Sequence, residues 1–265
     1  MTNLLDQFSD ASLNAFSSRR SALRQTGRIG LGAAIAAIPF LKPGRALAQS
    51  TSGDFGVLNY ALTLEYLERS FYRQAEDTGL IPSSAAPLFS TIRMDEEAHV
   101  SLLAGAITDA GGTPVEYTDD DFTFTPFLSS FANIATLAQG LEDTGVRAYK
   151  GQAAAIVNKD YLDVALQIHS VEARHAAAIR RLDASPATQG WIPRNQPGSP
   201  AAIAPVYGSG DGFPSEDNVT QGGVNLLSAL SGYSREEITE AFDEGLDMDT
   251  VLAIAGPFIT GTEGD

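Results

Sequence analysis

The sequence predicts an all-α protein: a four-helix bundle, then a Pro/Gly-rich strap and short C-terminal helices. Three observations lead there. Four long segments repeat apolar side chains at helical spacing. Two of them carry the same motif, Glu-x-x-His, at Glu96/His99 and Glu172/His175. After Ser185 the periodicity stops in a stretch rich in Pro, Gly and Ser.

The first helix is expected over about 54–78, "DFGVLNYALTLEYLERSFYRQAEDT", with Asp54 as N-cap and Gly79 as stop. The second runs over about 83–110 and ends at Gly111-Gly112. "GGTPVEYTDDDFTF" follows, too long and polar for a hairpin turn, and reads as a crossover. The third helix is expected over about 126–157 and the fourth over 160–183, with "NKD" as the turn between them. In the strap, Trp191, Ile192, Ile203, Val206, Tyr207 and Phe213 favour wrapping on the bundle over free loop. Beyond it, "GVNLLSALSG", "SREEITEAFDEG" and "TVLAIAGPFI" are short helical elements, and Ser234 with Glu237 forms a capping-box pattern.

The chain has 265 residues, room for one sizeable core. With 33 acidic against 17 basic residues the net charge is −16, which disfavours nucleic acid and anionic membrane and favours cations. No cysteine is present, which excludes disulfides, thiolate catalysis and Cys-ligated zinc or iron–sulfur centres.

Residues 1–48 read as a secretory signal: Arg19-Arg20, a modest apolar run from Ile29 to Leu41, and Ala46-Leu47-Ala48 before Gln49. The run is too short to span a bilayer, so the mature form is expected to have no membrane segment. Ser18-Arg19-Arg20-Ser21-Ala22-Leu23-Arg24 is similar to the twin-arginine export motif, with Ala22 where phenylalanine is usual. Removal after Ala48 takes away six basic and two acidic residues and leaves a net charge of −20. The expected organisation is thus signal 1–48, bundle 49–184, and strap with short helices 185–265. The expected location is the periplasm or outside the cell.

Only three histidines are present, and two follow a glutamate by three. Chance would supply roughly 0.16 such pairs. Positions i and i+3 share a helical face, so each motif offers a carboxylate and an imidazole to one point of a bundle core. Bundles that hold two metal ions use two such motifs and one further glutamate from each remaining helix. Antiparallel geometry finds those partners, because residues at one height lie equally far from the turn. Glu65 and Glu96 are centred on the "GLIP" turn, Glu142 and Glu172 on residue 157 beside "NKD". Tyr72 follows Glu65 by seven, and Tyr149 follows Glu142 by seven, on roughly the same face. The chain therefore contains a duplication, Glu-x6-Tyr then Glu-x-x-His, used twice.

This pattern resembles the ferritin-like superfamily of di-iron carboxylate bundles. It is similar in particular to exported ferritin-like proteins that include the desiccation-related proteins, through "LNYALTLEYLERSFY" and "AFDEGLDMDTVLAIAGPFI". The resemblance implies a dinuclear site with Glu65, Glu96, His99, Glu142, Glu172 and His175 as ligands. Glu96 and Glu172 would bridge, Glu65 and His99 would complete one ion, and Glu142 and His175 the other. It implies two Fe ions, alternatively Mn, with Zn also accommodated. The absence of cysteine removes a rubredoxin-type donor, and the tail does not match the fifth helix of cage-forming ferritins.

Other residues read differently. Glu68 aligns with Gly145 in the duplication and reads as a solvated or hydrogen-bonding residue more than a ligand. Glu76 is a rival carboxylate on the first helix, Glu97 reads as surface charge, and His169 as an outer or surface histidine. Tyr72 and Tyr149 read either as core aromatics or as hydrogen-bond donors and one-electron relays beside the metals. The activity expected is Fe(II) oxidation or chemistry on peroxide or dioxygen in stress protection. The alternatives are a desiccation-protective structural protein braced by metal, and a dimetal oxygenase acting on an organic substrate.

Overall fold

The computed structural model describes residues 53–182, 189–196, 199–208 and 213–260, so the expected signal at 1–48 lies outside the described residues. Four long helices form the bundle: α1 Gly53–Asp77, α2 Ala86–Asp109, α3 Phe131–Gln152 and α4 Lys159–Arg180. α1 pairs with α2 and α3 with α4; α1 also packs on α3, and α2 more sparsely on α4. The all-α class is as the sequence predicts.

The helix ends have local causes. Gly79, at φ +66°, stops α1. The Ser130 side chain accepts from Asn133 N–H at the start of α3, and that of Asn158 from Asp160 N–H at the start of α4. The third helix therefore begins five residues later than expected from Pro126. Asp54 does not cap its own helix. Its carboxylate accepts from Val157 N–H (2.7 Å) and Asn158 N–H (2.9 Å), the backbone leading into α4.

The crossover runs the length of α1. Asn59 holds Thr113 and Val115, Arg69 reaches the Tyr117 carbonyl, and Gln74 donates to the Asp119 and Phe122 carbonyls. A two-ended connection of this kind makes α3 antiparallel to α1, which sets the two glutamate-bearing helices face to face.

The tail is partly as expected. Ile192, Ile203, Val206 and Tyr207 are buried together. Trp191 is 46% exposed and does not anchor the wrap, and Phe213 is only partly buried. One feature was not legible, whereas the short helices were expected. Strands β1 Thr220–Gln221 and β2 Val224–Asn225 form a minimal antiparallel hairpin, turning through Gly222 and Gly223, both at positive φ. Short helices α5 Leu226–Ala229, α6 Arg235–Thr239 and α7 Met248–Ala255 follow, and the Ser234/Glu237 capping box forms at α6.

Buried ions fasten this tail to α3. Arg147 Nε lies 2.7 Å from Glu216 Oε1, both side chains being essentially inaccessible. The same guanidinium donates to the Val206, Pro214 and Glu244 carbonyls. Asp143 accepts from Arg180 and from Tyr207 Oη. Where the tail crosses, a Cβ on Gly151 would stand 1.7 Å from the Leu246 carbonyl oxygen, so only glycine permits the approach.

Candidate metal centre

Glu65 on α1, Glu96 and His99 on α2, Glu142 on α3, and Glu172 and His175 on α4 all point into the middle of the bundle, where all six are buried. They form two overlapping groups whose ligand atoms lie within 4.8 Å of one another. One group is Glu65, Glu96, His99 and Glu172; the other is Glu96, Glu142, Glu172 and His175. Glu96 and Glu172 belong to both.

The distances repeat the duplication. His99 Nδ1 lies 3.1 Å from Glu65 Oε2, 3.0 Å from Glu96 Oε2 and 3.3 Å from Glu172 Oε1. His175 Nδ1 lies 3.0 Å from Glu96 Oε1 and 3.2 Å from Glu142 Oε2. The two imidazole rings are 6.3 Å apart. The tyrosines cross between the halves: Tyr72 Oη donates to Glu142 Oε1, and Tyr149 Oη to Glu65 Oε1. Burial and then those glutamates raise both phenols well above the usual tyrosine range, which keeps them protonated donors.

The donor set fits divalent cations. Glu96 Oε1, Glu142 Oε2, both Glu172 oxygens and His175 Nδ1 are buried without a hydrogen-bond partner. Several of these atoms approach one another closely yet are not aligned as donor and acceptor. Unsatisfied buried acceptors are costly, and a set converging on shared points is what a cation would satisfy. Carboxylates with imidazole suit iron or manganese and also admit zinc.

Electrostatics agree. Among the described residues, no lysine or arginine forms an ion pair with the four glutamates, whose close charged contacts are His99 and His175. Burial pushes Glu96 up to about 7, against the opposing influence of the nearby His175 and His99. Burial and then Glu96 raise Glu172 well above its usual range. Burial also works to raise Glu65, but the hydrogen bond with His99 leads a set that holds it below normal. Burial opposes charge on His175, yet the adjacent Glu142 and Glu96 carboxylates push it up to about 12; His99 is raised in the same way by Glu172, Glu65 and Glu96. Protons balance the carboxylates here, and divalent ions are the natural replacement.

Several residues stand elsewhere than the sequence suggested. Glu68 is not solvated: it is 3% exposed, and burial followed by Glu172 and Glu142 raises it well above a normal carboxylate. Its position was readable, since 65, 68 and 72 share one helical face. Asp95 was missed; its Oδ2 lies 3.0 Å from His175 Nε2. That contact leaves His175 Nδ1 facing the cluster, and Val171 at the matching place gives His99 no such partner. Glu76 pairs with Arg93, and Glu97 with Arg73 and Arg93. His169 stands apart from the cluster, with Asp243 and Lys150 as its charged neighbours.

No curated protein matches the chain. The ferritin-like domain family does, over residues 53–184, the span that holds all six converging residues and both tyrosines. Residues 53–184 thus match a ferritin-like domain, and the all-α four-helix bundle they form is the fold that the match implies.

Proposed function

We propose that the six residues hold two divalent metal ions, iron or manganese, and that the protein uses them to oxidise Fe(II) or to consume peroxide or dioxygen in protection against oxidative or desiccation stress. The observation that carries this reading is the overlap of the two ligand groups on Glu96 and Glu172, with their buried oxygens lacking any other partner. Two such ions supply paired one-electron steps for a two-electron reduction.

The protein's own residues hold and insulate. Glu96 and Glu172 stand between the two imidazoles, suited to bridging. Tyr72 and Tyr149 fix the unshared carboxylates from the opposite half of the chain. Asp95 orients His175. The bundle and tail leave the four glutamates inaccessible and the two histidines at 8% and 6% exposure.

Anaerobic reconstitution with Fe(II), followed by elemental analysis, is expected to give two ions per chain, and Glu172→Ala is expected to lose both. Wild-type protein that retains neither Fe nor Mn overturns the reading. Peroxide and dioxygen consumption then separates a reactive centre from one that only braces the bundle. The oxygenase alternative has one observation in its favour: an apolar recess beside Tyr149, lined by Val57, Leu58, Ala61, Leu64, Leu103 and Ile156. It requires dioxygen uptake that depends on an apolar substrate.

Export by the twin-arginine route is part of the same proposal, supported by the 1–48 segment. Among the described residues, no helix is long and apolar enough to cross a membrane.

A further inference from the structure

The duplication is broken at one position that faces the centre. Three residues after Glu65 stands Glu68; three residues after Glu142 stands Gly145. A Cβ on Gly145 would lie 3.0 Å from Glu172 Oε2 and 3.2 Å from Glu68 Oε1. The two carboxylates therefore flank the same bare stretch of α3, and a side chain there would crowd both. One half of the protein supplies an extra carboxylate, and the other supplies the room for it.

Glu68 is almost completely buried, yet, unlike both oxygens of Glu172, its carboxylate oxygens are not among the fully enclosed atoms without a partner. It lines a narrow cleft between α1 and α3 whose other walls include Leu67, Leu141 and Gly145, with Ile254 and Ala255 of α7 over it. Ile254 is half-buried and also packs on the strap cluster around Ile203 and Tyr207. The opposite side of the centre offers no comparable carboxylate. There the imidazole edges are only 10% and 7% exposed, and Asp95 is committed to His175. A carboxylate buried this far beside Glu172 and Glu142 is costly to ionise unless a cation visits it.

We propose that Glu68 is a transit ligand on a one-sided access route, passing divalent cations from the cleft beneath α7 to Glu172 and so into the dinuclear centre. The proposal rests on the dimetal reading above. It assigns the glycine at 145 and the cover by α7 to one purpose: a carboxylate-marked way in, narrow enough for a bare ion and closed by apolar walls to larger solutes.

Stopped-flow loading of the metal-free full chain with Co(II), read by the growth of its visible absorption bands, tests this without reference to turnover. Glu68→Gln is close in shape, and circular dichroism checks its fold. It is expected to slow loading at least tenfold while the final stoichiometry stays at two Co(II) and equilibrium affinity is unchanged. Ile254→Trp, which touches no ligand, is expected to slow loading as well by closing the cleft. Wild-type loading rates in E68Q overturn the proposal. So does loss of one ion at equilibrium in E68Q, which would make Glu68 a resident ligand, and so does slow loading in E68Q with normal loading in I254W. If the wild-type chain binds no Co(II), it is the dimetal reading that has failed.

Discussion

Glu142 and Asp143 are neighbours on α3 and both are buried, yet they belong to opposite solutions of the same problem. Asp143 turns toward α4 and the tail, where Arg180 and Tyr207 satisfy it; nearby, Glu216 has Arg147. Glu142 turns into the bundle, where four carboxylates and two imidazoles meet and, among the described residues, no arginine or lysine pairs with them. The first network is balanced by the chain itself and works as a clamp. The second is balanced only by something taken from outside. Burial of charge alone therefore says little about function; the informative quantity is whether the chain brings its own counter-ions.

The largest effect expected from breaking this contrast is at the clamp. Arg147→Met leaves Glu216 buried and unpaired and frees three carbonyls, so a loss of about 3–5 kcal/mol is expected in urea denaturation. A loss below about 1 kcal/mol would mean the tail is not held by ions.

Metal loading comes next. Saturation with Mn(II) at a hundred times its dissociation constant is expected to raise stability by about 2.7 kcal/mol for each ion bound. The pH response has a definite sign. Glu96 stands at about 7 in the folded protein, above its unfolded value. Its contribution is therefore complete below the unfolded value and is lost as pH rises through 7. His175, raised to about 12, acts in the same direction over a higher window, from its unfolded value upward. Metal-free protein should thus lose melting temperature between pH 5 and 8, relative to loaded protein over the same range. Glu216, pushed up by burial to about 8, drifts in both forms and cancels in the difference. Equal slopes with and without Mn(II) would remove the cluster from the argument.

The smallest effect tests the duplication. Tyr72→Phe and Tyr149→Phe each remove one donor from a buried carboxylate, about 1–3 kcal/mol. The two losses should be nearly equal. A twofold difference in denaturation energy would show that the halves are not energetically equivalent.

The centre was legible because its rules are local and additive. Spacing i, i+3 puts Glu96 with His99, and equal arm lengths about a turn put Glu65 level with Glu96. The clamp was not legible, because an arginine at 147 on a helix reads as surface until its partner, far along the chain at 216, is brought to it. Asp54 failed for the same reason: it looked like a cap on its own helix and serves backbone more than a hundred residues away. The two-residue strands are too short for any alternation to be read. Glu68 was discounted because its counterpart is glycine, although that glycine is what makes space for it.

The crossed tyrosines have a consequence for assembly. Each hairpin carries half of the ligands but the donor for the other hairpin's glutamate, so neither half-site is complete until both are docked. A slip of α3 along α1 by one turn, about 5.4 Å, would break both Tyr–Glu bonds together. The pair acts as a vernier between the two hairpins, able to tell correct alignment from near alignment before any ion arrives.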